Sequence, residues 1–399
     1  MLALGVVIGV SLSVTFQALR IMGESRMYRQ HTTRLCSEAE PEAGKPAYSM
    51  DYLTHTLNHP LIHIAMHIAP APSVKPLAGN AMLAQANWVG HGLHRPECVL
   101  TTAKGHVYSA DWRSGVAHTL PSGASRLYAA QPQDGEVIKP NGIALLRDGS
   151  FLVTHLGATR GGVFRLQRDG TTTPFLLKAD GVDLPPTNFV VEDAAGRFWI
   201  TVSTRLVPRD LGYRRSCDDG FIVMADASGA RIVADGLGYT NECLVDISGE
   251  YLYANETFGR RLSRFPIGND GNLGSRQVVT EFGPGTFPDG LAQDAEGHFW
   301  VTSIVSNRLI RVAPDGQQTI WLEDCDASHL EWVEQAYTSN TLGRPHLDGV
   351  KSQVLQNISS LAFGGADLRT GYLGCLLGDS VATLRMPVAG HPPLHWNYE

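Results

Sequence analysis

The sequence comprises 399 residues, of which 43% are hydrophobic and only 18% are charged, and it contains 42 Gly and 22 Pro. This composition excludes a coiled coil, a collagen-like chain and a long disordered protein, and the abundant Gly favours a turn-rich, mostly β protein. The 32 Lys and Arg residues against 39 Asp and Glu give a net charge of −7 without any Lys/Arg-rich run, so nucleic acid is not expected as a partner.

The chain opens with an apolar stretch in which no charged residue precedes Arg20. Neither a basic flank nor a small-x-small cleavage site is clear, and several hydroxyl side chains weaken the stretch as a membrane span. We therefore expect residues 1–80 to form an N-terminal extension, with an apolar segment at 1–19 followed by a linker. A cytoplasmic protein is expected; the alternative is export or membrane anchoring through residues 1–19, and membrane contact is expected only if that segment is retained.

From Arg95 onward the sequence repeats. Five segments align without gaps, and in each a polar residue is followed eight positions later by Gly and then by a β-branched or aromatic strand. The pairs are Glu97 and Gly105, Asn141 and Gly149, Asn188 and Gly196, Asn241 and Gly249, and Asp289 and Gly297. A sixth copy fits when three residues are inserted, with Gly371 eleven positions after Ser360. A period in the forties with several strands per unit predicts an all-β, six-bladed β-propeller over residues 81–399, closed by the segment 82–90 or the strand around VATLRM.

The five polar residues lie one strand length before their Gly turns, so all of them are expected at one mouth of the central channel. A ring of carboxylate and amide oxygens on one axis is costly to bury without a cation. Oxygen-only donors indicate Ca²⁺, with Mn²⁺, Mg²⁺ or Zn²⁺ as substitutes. Taken singly, each Asn could equally well cap a strand or close a turn.

The inner-strand order Glu, Asn, Asn, Asp, with the strings PEC, PTN, YTN and FPDGLAQDAEGHFWVT, resembles the senescence-marker-protein/gluconolactonase family. The resemblance covers about three quarters of the chain, the six blades. It implies a central divalent cation held by a Glu of blade 1, Asn residues of blades 3 and 4 and an Asp of blade 5. Position by position, these ligands are Glu97, Asn188, Asn241 and Asp289.

One departure bears on the substrate. The sugar-lactonase branch of the family has an Arg two residues before the blade 3 Asn, whereas this chain has Pro186 there. A sugar acid lactone is therefore in doubt, and Asn141 is a candidate replacement for substrate recognition. Strand ends that return to the same mouth add His155, Arg205 and Glu256 as candidate substrate contacts; the alternatives are a hydrogen-bonded rim His and an ion pair made by the other two.

Between Asp289 and Ser360 the chain is longer than in the other repeats. Leu330, Val333 and Tyr337 follow a helical spacing there, which predicts a short amphipathic helix and then a loop from Gly343 to Val350. Whether residues 329–350 form a lid or a surface decoration stays open at this level.

These observations predict a calcium-dependent hydrolase of cyclic or activated esters, with a lactone as the leading small-molecule substrate. A metal-bound water would attack, and Asp289 would act as base or nucleophile. No G-x-S-x-G motif supports a serine hydrolase. Two alternatives stay open: a non-catalytic calcium- or ligand-binding propeller, and non-hydrolytic metal-assisted chemistry on a small metabolite.

Overall fold

The computed structural model describes residues 79–398, so the predicted N-terminal extension lies outside the described residues except at its end. Helix α1 (Gly79–Leu83) and strand β1 (Asn87–Val89) come first. The described residues form six antiparallel sheets of four strands each, one of which includes β1, and this confirms the six-bladed propeller predicted from the repeats.

The strands of the first three blades have the following bounds. Blade 1 contains β2 (Val99–Thr101), β3 (Val107–Asp111), β4 (Gly115–Thr119) and β5 (Ser125–Ala129). Blade 2 contains β6 (Pro140–Leu145), β7 (Phe151–His155), β8 (Val163–Leu166) and β9 (Thr172–Leu176), and a small hairpin of β10 (Lys178–Ala179) and β11 (Val182–Asp183) follows it. Blade 3 contains β12 (Phe189–Glu192), β13 (Phe198–Val202), β14 (Gly220–Asp226) and β15 (Gly229–Leu237).

The remaining blades complete the ring. Blade 4 contains β16 (Thr240–Val245), β17 (Tyr251–Glu256), β18 (Arg261–Pro266) and β19 (Gln277–Glu281). Blade 5 contains β20 (Phe287–Gln293), β21 (Phe299–Ile304), β22 (Arg308–Val312) and β23 (Gln318–Leu322). Blade 6 contains β24 (Ile358–Gly364), β25 (Thr370–Cys375) and β26 (Val381–Arg385), with β1 as its fourth strand.

The first strand of each blade is its innermost one, since β2, β6, β12, β16, β20 and β24 contact one another in order around the axis. Strand β6 is buried along its whole length, whereas the outermost strand of blade 1, β5, is largely exposed. The hydrophobic core therefore lies between neighbouring blades. Phe151 of blade 2, for example, packs on Tyr108 of blade 1 with ring centroids 5.2 Å apart, and burial of each such side chain contributes about 1.5–3 kcal/mol.

In each of the five gap-free repeats, the Gly eight positions after the polar residue lies in a turn with positive φ, between 75° and 82°, where residues with a Cβ are disfavoured. The sixth repeat was aligned incorrectly. Gly371 lies inside β25 and pairs with Phe363, while the turn before it carries Gly365 with φ 76°. Gly371 is needed for a different reason, because an added Cβ would lie 2.7 Å from the sulfur of Met386.

Blades 3 and 5 share a side-chain arrangement that explains their similar strings. Asp193 accepts a hydrogen bond at 2.9 Å from Nε1 of Trp199, and Asp294 accepts one at 3.0 Å from Nε1 of Trp300. In both blades the other carboxylate oxygen accepts backbone N–H groups of the intervening turn. Both indoles are fully buried, so each Asp has two roles: it holds the turn and it accepts a hydrogen bond from the buried indole N–H.

The ring is closed by the segment predicted for that purpose. Strand β1 pairs antiparallel with β26, with Trp88 opposite Ala382 and Val89 opposite Val381. The N-terminal strand thus completes a blade made otherwise from the end of the chain and covers the edge of β26.

The long connection after blade 5 contains the predicted helix, α2 (Ala327–Thr338), whose start is capped by Asp326 accepting from the N–H of His329 at 2.8 Å. A loop was predicted from Gly343 to Val350, but this segment includes a short helix, α3 (Arg344–Asp348). Pro345 at the start of that helix has the fixed φ that suits a first turn. We call residues 327–350 the insert.

Within residues 79–398, no helix is both long and apolar enough to cross a membrane.

Candidate functional site

The predicted ring residues all lie at the same end of the inner strands. Asn141, Asn241 and Asp289 are within the first three residues of β6, β16 and β20. Glu97 lies two residues before β2, and Asn188 directly precedes β12. Four side chains line one cavity of about 50 Å³ at this mouth: Glu97, Asn188, Asn241 and Asp289. All four are at least nine-tenths buried. The structure therefore brings together the four residues predicted as metal ligands.

The two carboxylates of the cavity differ in their partners. Glu97 Oε2 lies 2.8 Å from Nη1 of Arg95. Asp289 accepts no side-chain or backbone hydrogen bond on its carboxylate among the described residues, although its exposure is only 4%. Burial raises the pKa of Asp289 well above its ordinary value, and the negative charges of Glu97 and Glu242 add to the rise. A bound cation near Asp289 would lower the free-energy cost of burying its ionised carboxylate.

The amides form a chain of hydrogen bonds around the cavity. Asn141 Nδ2 donates to Glu97 Oε1 at 2.7 Å and to Oδ1 of Asn188. Asn188 Nδ2 donates to Asn241 Oδ1 at 3.0 Å, and Asn241 Nδ2 donates to Oγ1 of Thr257 at 3.0 Å. Each amide nitrogen is thus turned to a neighbour, while each carbonyl oxygen keeps a second lone pair.

This donor set fits a hard divalent cation. The cavity offers two carboxylates and two amide oxygens, which are ligands that Ca²⁺ accepts in flexible geometry. No group of three or more His, Cys, Asp or Glu side chains suited to a metal occurs among residues 79–398, so a cation here would depend on the amides as well. The buried carboxylate of Asp289, which lacks a donor, is the observation that supports such a cation most directly.

Asn141 was predicted to contact substrate, but it does not line the cavity. It is 3% exposed and lies behind the ligand residues, held between Glu97 and Asn188, and its Oδ1 accepts from Nη1 of Arg95 at 3.3 Å. These contacts make it a residue that positions two of the proposed ligands.

Three other candidate substrate contacts also lie outside the cavity lining. His155 Nε2 is 3.2 Å from Oε1 of Glu136, and burial lowers the pKa of His155. Arg205 is exposed and pairs with Asp235 at 2.8 Å. Glu256 is fully buried and pairs with Arg261 at 2.6 Å. Each side chain therefore has a structural partner and does not line the cavity. The alternatives open at the sequence level were a hydrogen-bonded rim His and a mutual or solvent-facing ion pair for Arg205 and Glu256. Arg205 makes the solvent-facing pair, whereas Glu256 pairs in a buried position, and the two do not pair with each other.

The sequence analysis missed several polar residues that line the cavity: Arg95, Arg209, Tyr213, Tyr239 and Arg344. Arg95 and Tyr239 each stand two residues before a proposed ligand and share a left-handed backbone, with φ of 53° and 67°. Left-handed φ is rare for bulky residues and is found where the surroundings hold it, often at functional sites. The equivalence of these two positions in blades 1 and 4 is a signal that the repeat alignment could have given.

Arg209 comes from the long connection between β13 and β14, which contains a 3-10 turn at Arg209–Gly212. The spacing from Asn188 to Asn241 is 53 residues, longer than the preceding spacings of 44 and 47. This excess marks an insertion in blade 3, although it does not indicate which of its residues turns inward.

The insert covers the mouth. Arg344, Leu347 and Asp348 of α3 line the cavity, and Leu347 is 6% exposed. Tyr337 of α2 packs on Phe287 in a hydrophobic cluster that also contains Leu347 of α3. A cavity of about 50 Å³ has space for an ion and a water, whereas pockets that hold organic ligands measure about 300–1,000 Å³. Substrate entry therefore requires a movement at this mouth.

A larger cavity of about 610 Å³ lies at the opposite ends of the inner strands, lined mainly by apolar side chains and by the C-terminal residues 391–395. Glu242 reaches it from β16 and accepts from the N–H of Leu291 at 2.8 Å. Burial raises the pKa of Glu242 to about 8.

Comparison with known proteins begins with a family model. Residues 96–323 match the SMP-30/Gluconolactonase/LRE-like region. A curated 6-deoxy-6-sulfogluconolactonase from Pseudomonas putida is 30% identical over 204 residues, in an alignment that covers 49% of this chain and 66% of that protein. The chain thus spans slightly less than two thirds of the length of this relative.

Solved structures share the fold at lower identity. A gluconolactonase from Xanthomonas campestris is 17% identical with a TM-score of 0.55, and the match covers 79% of this chain and 94% of that one. A calcium-binding regucalcin from Agrobacterium tumefaciens is 16% identical with a TM-score of 0.55, covering 76% and 96%. Because the family model spans more than half of the sequence, the chain belongs to the SMP-30/gluconolactonase/LRE-like family, as the strings of blades 1 to 5 indicated.

Proposed function

We propose that this chain is a calcium-dependent hydrolase of cyclic or activated esters and that its substrate is a lactone. The observation that carries the proposal is the buried carboxylate of Asp289, which has no hydrogen-bond donor and shares a cavity with Glu97 and two amides. The lactone class is supported by the family and by the P. putida relative, whose name describes a lactonase acting on a sulfonated sugar acid lactone.

The residues of the cavity divide into ligands and supports. Glu97, Asn188, Asn241 and Asp289 would hold the cation, which when bound supplies a Lewis acid for the ester carbonyl. Arg95 fixes Glu97 through the 2.8 Å ion pair, and Asn141 orients the same carboxylate from the other side. The charged pair and the amide chain hold the oxygen donors in place before substrate arrives, which lowers the cost of reorganisation during the reaction.

Asp289 is the residue placed to handle the proton. As a general base it takes a proton from water, and the water oxygen adds to the carbonyl carbon. The acyl–oxygen bond of the ring then breaks, and the proton passes to the departing oxygen, so the product is one hydroxy acid. If Asp289 attacks the carbonyl itself, an acyl-enzyme forms first and water cleaves it. A single turnover in ¹⁸O-labelled water places label in the Asp289 side chain only by the second route, when water attacks the side-chain carbonyl of the anhydride; rapid-quench detection of the acyl-enzyme covers attack at the other carbonyl.

The insert supports the proposal by closing the mouth. Leu347 and the hydrophobic cluster beneath α2 exclude bulk water from the carboxylates, which strengthens the electrostatic interactions inside. The polar lining, which includes Arg344 and Asp348 of α3, suits a small, polar, cyclic substrate better than a long acyl chain.

The test is a panel of lactones, aryl esters and phosphotriesters, assayed with calcium-loaded protein and with the same protein after chelation. Lactone turnover that chelation removes and calcium restores is the expected result. Tight calcium binding without turnover of any ester would favour the non-catalytic binding propeller instead. Conversion of a lactone into a product other than its hydroxy acid would favour the non-hydrolytic alternative.

A further inference from the structure

Two buried polar groups at the cavity lack a well-aligned hydrogen-bond partner among the described residues. Nε of Arg209 and the hydroxyl of Tyr239 make no well-aligned hydrogen bond to any described residue, although the two side chains lie close to each other and to Tyr213, and Tyr239 is only 3% exposed. Arg209 reaches one neighbour, Oγ of Ser203, through Nη2 at 3.2 Å, and its guanidinium lies 5.4 Å from the ring centre of Tyr239. Buried polar groups are normally paired, so these two groups call for a ligand.

Arg209 also differs from the other arginines of the cavity. Arg95 pairs with Glu97 at 2.8 Å, and Arg344 pairs with Asp348 at 3.2 Å. Arg209 has no carboxylate within ion-pair distance among residues 79–398, although Arg205, four residues earlier in the same connection, pairs with Asp235. Its positive charge therefore has no ion pair of its own, and it acts on the cavity carboxylates Glu97 and Asp289 only from a longer distance.

The charge balance of the cavity points the same way. Its lining contains three arginines, and three carboxylates balance them: Glu97, Asp289 and Asp348. The proposed divalent cation would add two positive charges to this balanced set. A negatively charged ligand group beside Arg209 would offset part of that excess, and a guanidinium holds such an anion through charge-assisted hydrogen bonds.

We propose that the substrate carries an anionic group, separate from its lactone carbonyl, and that Arg209 and the Tyr239 hydroxyl bind this group. The inference rests on the proposed function. These two donors can bind a sulfonate, a carboxylate or a phosphate, because each of these anions accepts hydrogen bonds from a guanidinium and a phenol. Arg344, exposed on α3 and donating to the Tyr213 hydroxyl at 3.2 Å, comes from the insert and adds positive charge at the entrance.

This role is distinct from stabilising charge on the reacting carbonyl. An arginine that stabilises the transition state would affect neutral and anionic lactones equally, whereas an arginine that binds a separate anion affects only the anionic one.

The experiment compares gluconolactone with analogues whose terminal hydroxyl is replaced by sulfonate, carboxylate or phosphate. Wild-type protein is expected to prefer at least one anionic lactone in kcat/KM. Arg209→Gln should lower kcat/KM for that lactone by about 10- to 100-fold and leave gluconolactone within about threefold. Arg205→Gln, from the same connection but paired outside the cavity, is the matched control and should change neither value. The response to the three anionic analogues identifies which anion is preferred.

Tyr239→Phe provides a second variant if Arg209→Gln fails to fold, because it keeps the ring and removes only the hydroxyl; the same selective loss is expected at smaller magnitude. Equal losses for neutral and anionic lactones, or no anionic preference in the wild type, would overturn the inference while leaving the lactonase intact. If no lactone is hydrolysed, the proposed function fails, and calorimetric binding of gluconate and its sulfonated analogue decides the inference. Binding that Arg209→Gln leaves unchanged would then overturn it.

Discussion

The side-chain nitrogen of Asn141 donates a 2.7 Å hydrogen bond to Oε1 of Glu97, so the first proposed ligand is oriented by a residue from the next blade. Asn141 also donates to Oδ1 of Asn188. One amide therefore fixes two donors that belong to different blades, although it does not line the cavity.

Asn141→Ala is expected to weaken calcium binding by about tenfold or more, because removal of a group that orients metal ligands commonly costs 10- to 100-fold in affinity. Calcium affinity measured by titration calorimetry tests this. His155→Gln is the matched control and should leave calcium affinity unchanged, since His155 contacts Glu136 outside the cavity. Unchanged affinity in Asn141→Ala with a raised KM would restore the original expectation that Asn141 contacts substrate.

Asp289→Asn separates the activity of the site from the stability of the fold. The buried carboxylate has no donor and a raised pKa, so its neutral replacement should stabilise the metal-free protein by about 1–2 kcal/mol. The same change removes a ligand charge and the proposed base, and should abolish turnover even at saturating calcium. Urea unfolding in the presence of a chelator measures the change in unfolding free energy, and lactone assays at saturating calcium measure the loss of turnover. A variant that is less stable than the wild type without metal would show that Asp289 has a favourable partner in the empty site.

The ring residues could be predicted from sequence because their spacing to the Gly turn is local. In each of the five gap-free copies, one strand length separates the polar residue from its Gly, as it separates Asn188 from Gly196. The turn at this Gly fixes where the next strand begins. The sixth copy failed for the same reason: its turn has a different length, so Gly371 was assigned to a turn when it is a strand residue packed on Met386.

The rest of the site depends on contacts that no local pattern encodes. Arg205 and Arg209 are four residues apart in one connection, yet the first turns to Asp235 outside the cavity and the second turns inward to Tyr239. Which of them lines the mouth is decided by how the connection packs on blade 4. The partner of Asn141 likewise comes from 44 residues away, across a blade boundary.

The insert is expected to open at α3 and to stay closed at α2. Helix α2 is tied down by Glu334, which accepts from the N–H of Gly285 at 2.7 Å and pairs with Arg260, and by the Tyr337 hydroxyl, which donates to the Phe258 carbonyl at 2.6 Å. Helix α3 has only five residues, and it is held by Nδ2 of Asn357, which donates to the Leu347 carbonyl at 3.0 Å, and by Arg344, which donates to the Tyr213 hydroxyl at 3.2 Å. Amides of 344–350 should exchange with deuterium at least about tenfold faster than those of 330–338.

Mass-spectrometric hydrogen exchange tests this, with and without the hydroxy acid product. Product binding should slow exchange in 344–350 and leave 330–338 unchanged. Equal protection of both segments, or no response to product, would show that the insert is a fixed decoration and that substrate enters elsewhere.

Acid should destabilise the protein through His118, a residue of blade 1 far from the ring. Burial lowers the pKa of His118 to about 4 from its usual 6.5. The groups that face it on the packed elements are His106, Tyr108, Arg126, Tyr128 and Arg168. Because the unfolded chain binds this proton more readily, stability is lost as pH falls from about 6.5 to about 4, by about 1–3 kcal/mol after allowance for solvent screening.

His118→Gln removes this titration and should flatten the change in unfolding free energy between pH 6.5 and pH 4. Denaturant unfolding at several pH values measures the slope. His91→Gln, at an exposed histidine, is the control and should retain the wild-type slope. An unchanged slope in His118→Gln would mean that other groups govern acid unfolding.

Two truncations separate the dispensable part of the N-terminus from the part that closes the ring. A chain starting at residue 79 keeps α1 and β1 and should fold, because no copy of the repeat precedes Arg95 and β1 supplies the fourth strand of blade 6. A chain starting at residue 90 lacks β1, which exposes the edge of β26 at Val381 and Ala382 and removes Leu83 from the cluster between blades 5 and 6. We expect this second chain to lose about 3 kcal/mol or more, or to aggregate through the open edge. Thermal melting and size-exclusion chromatography of both chains measure the difference. Failure of the chain from 79 would show that residues 1–78 are structural, and equal stability of the two chains would show that β1 does not hold the ring closed.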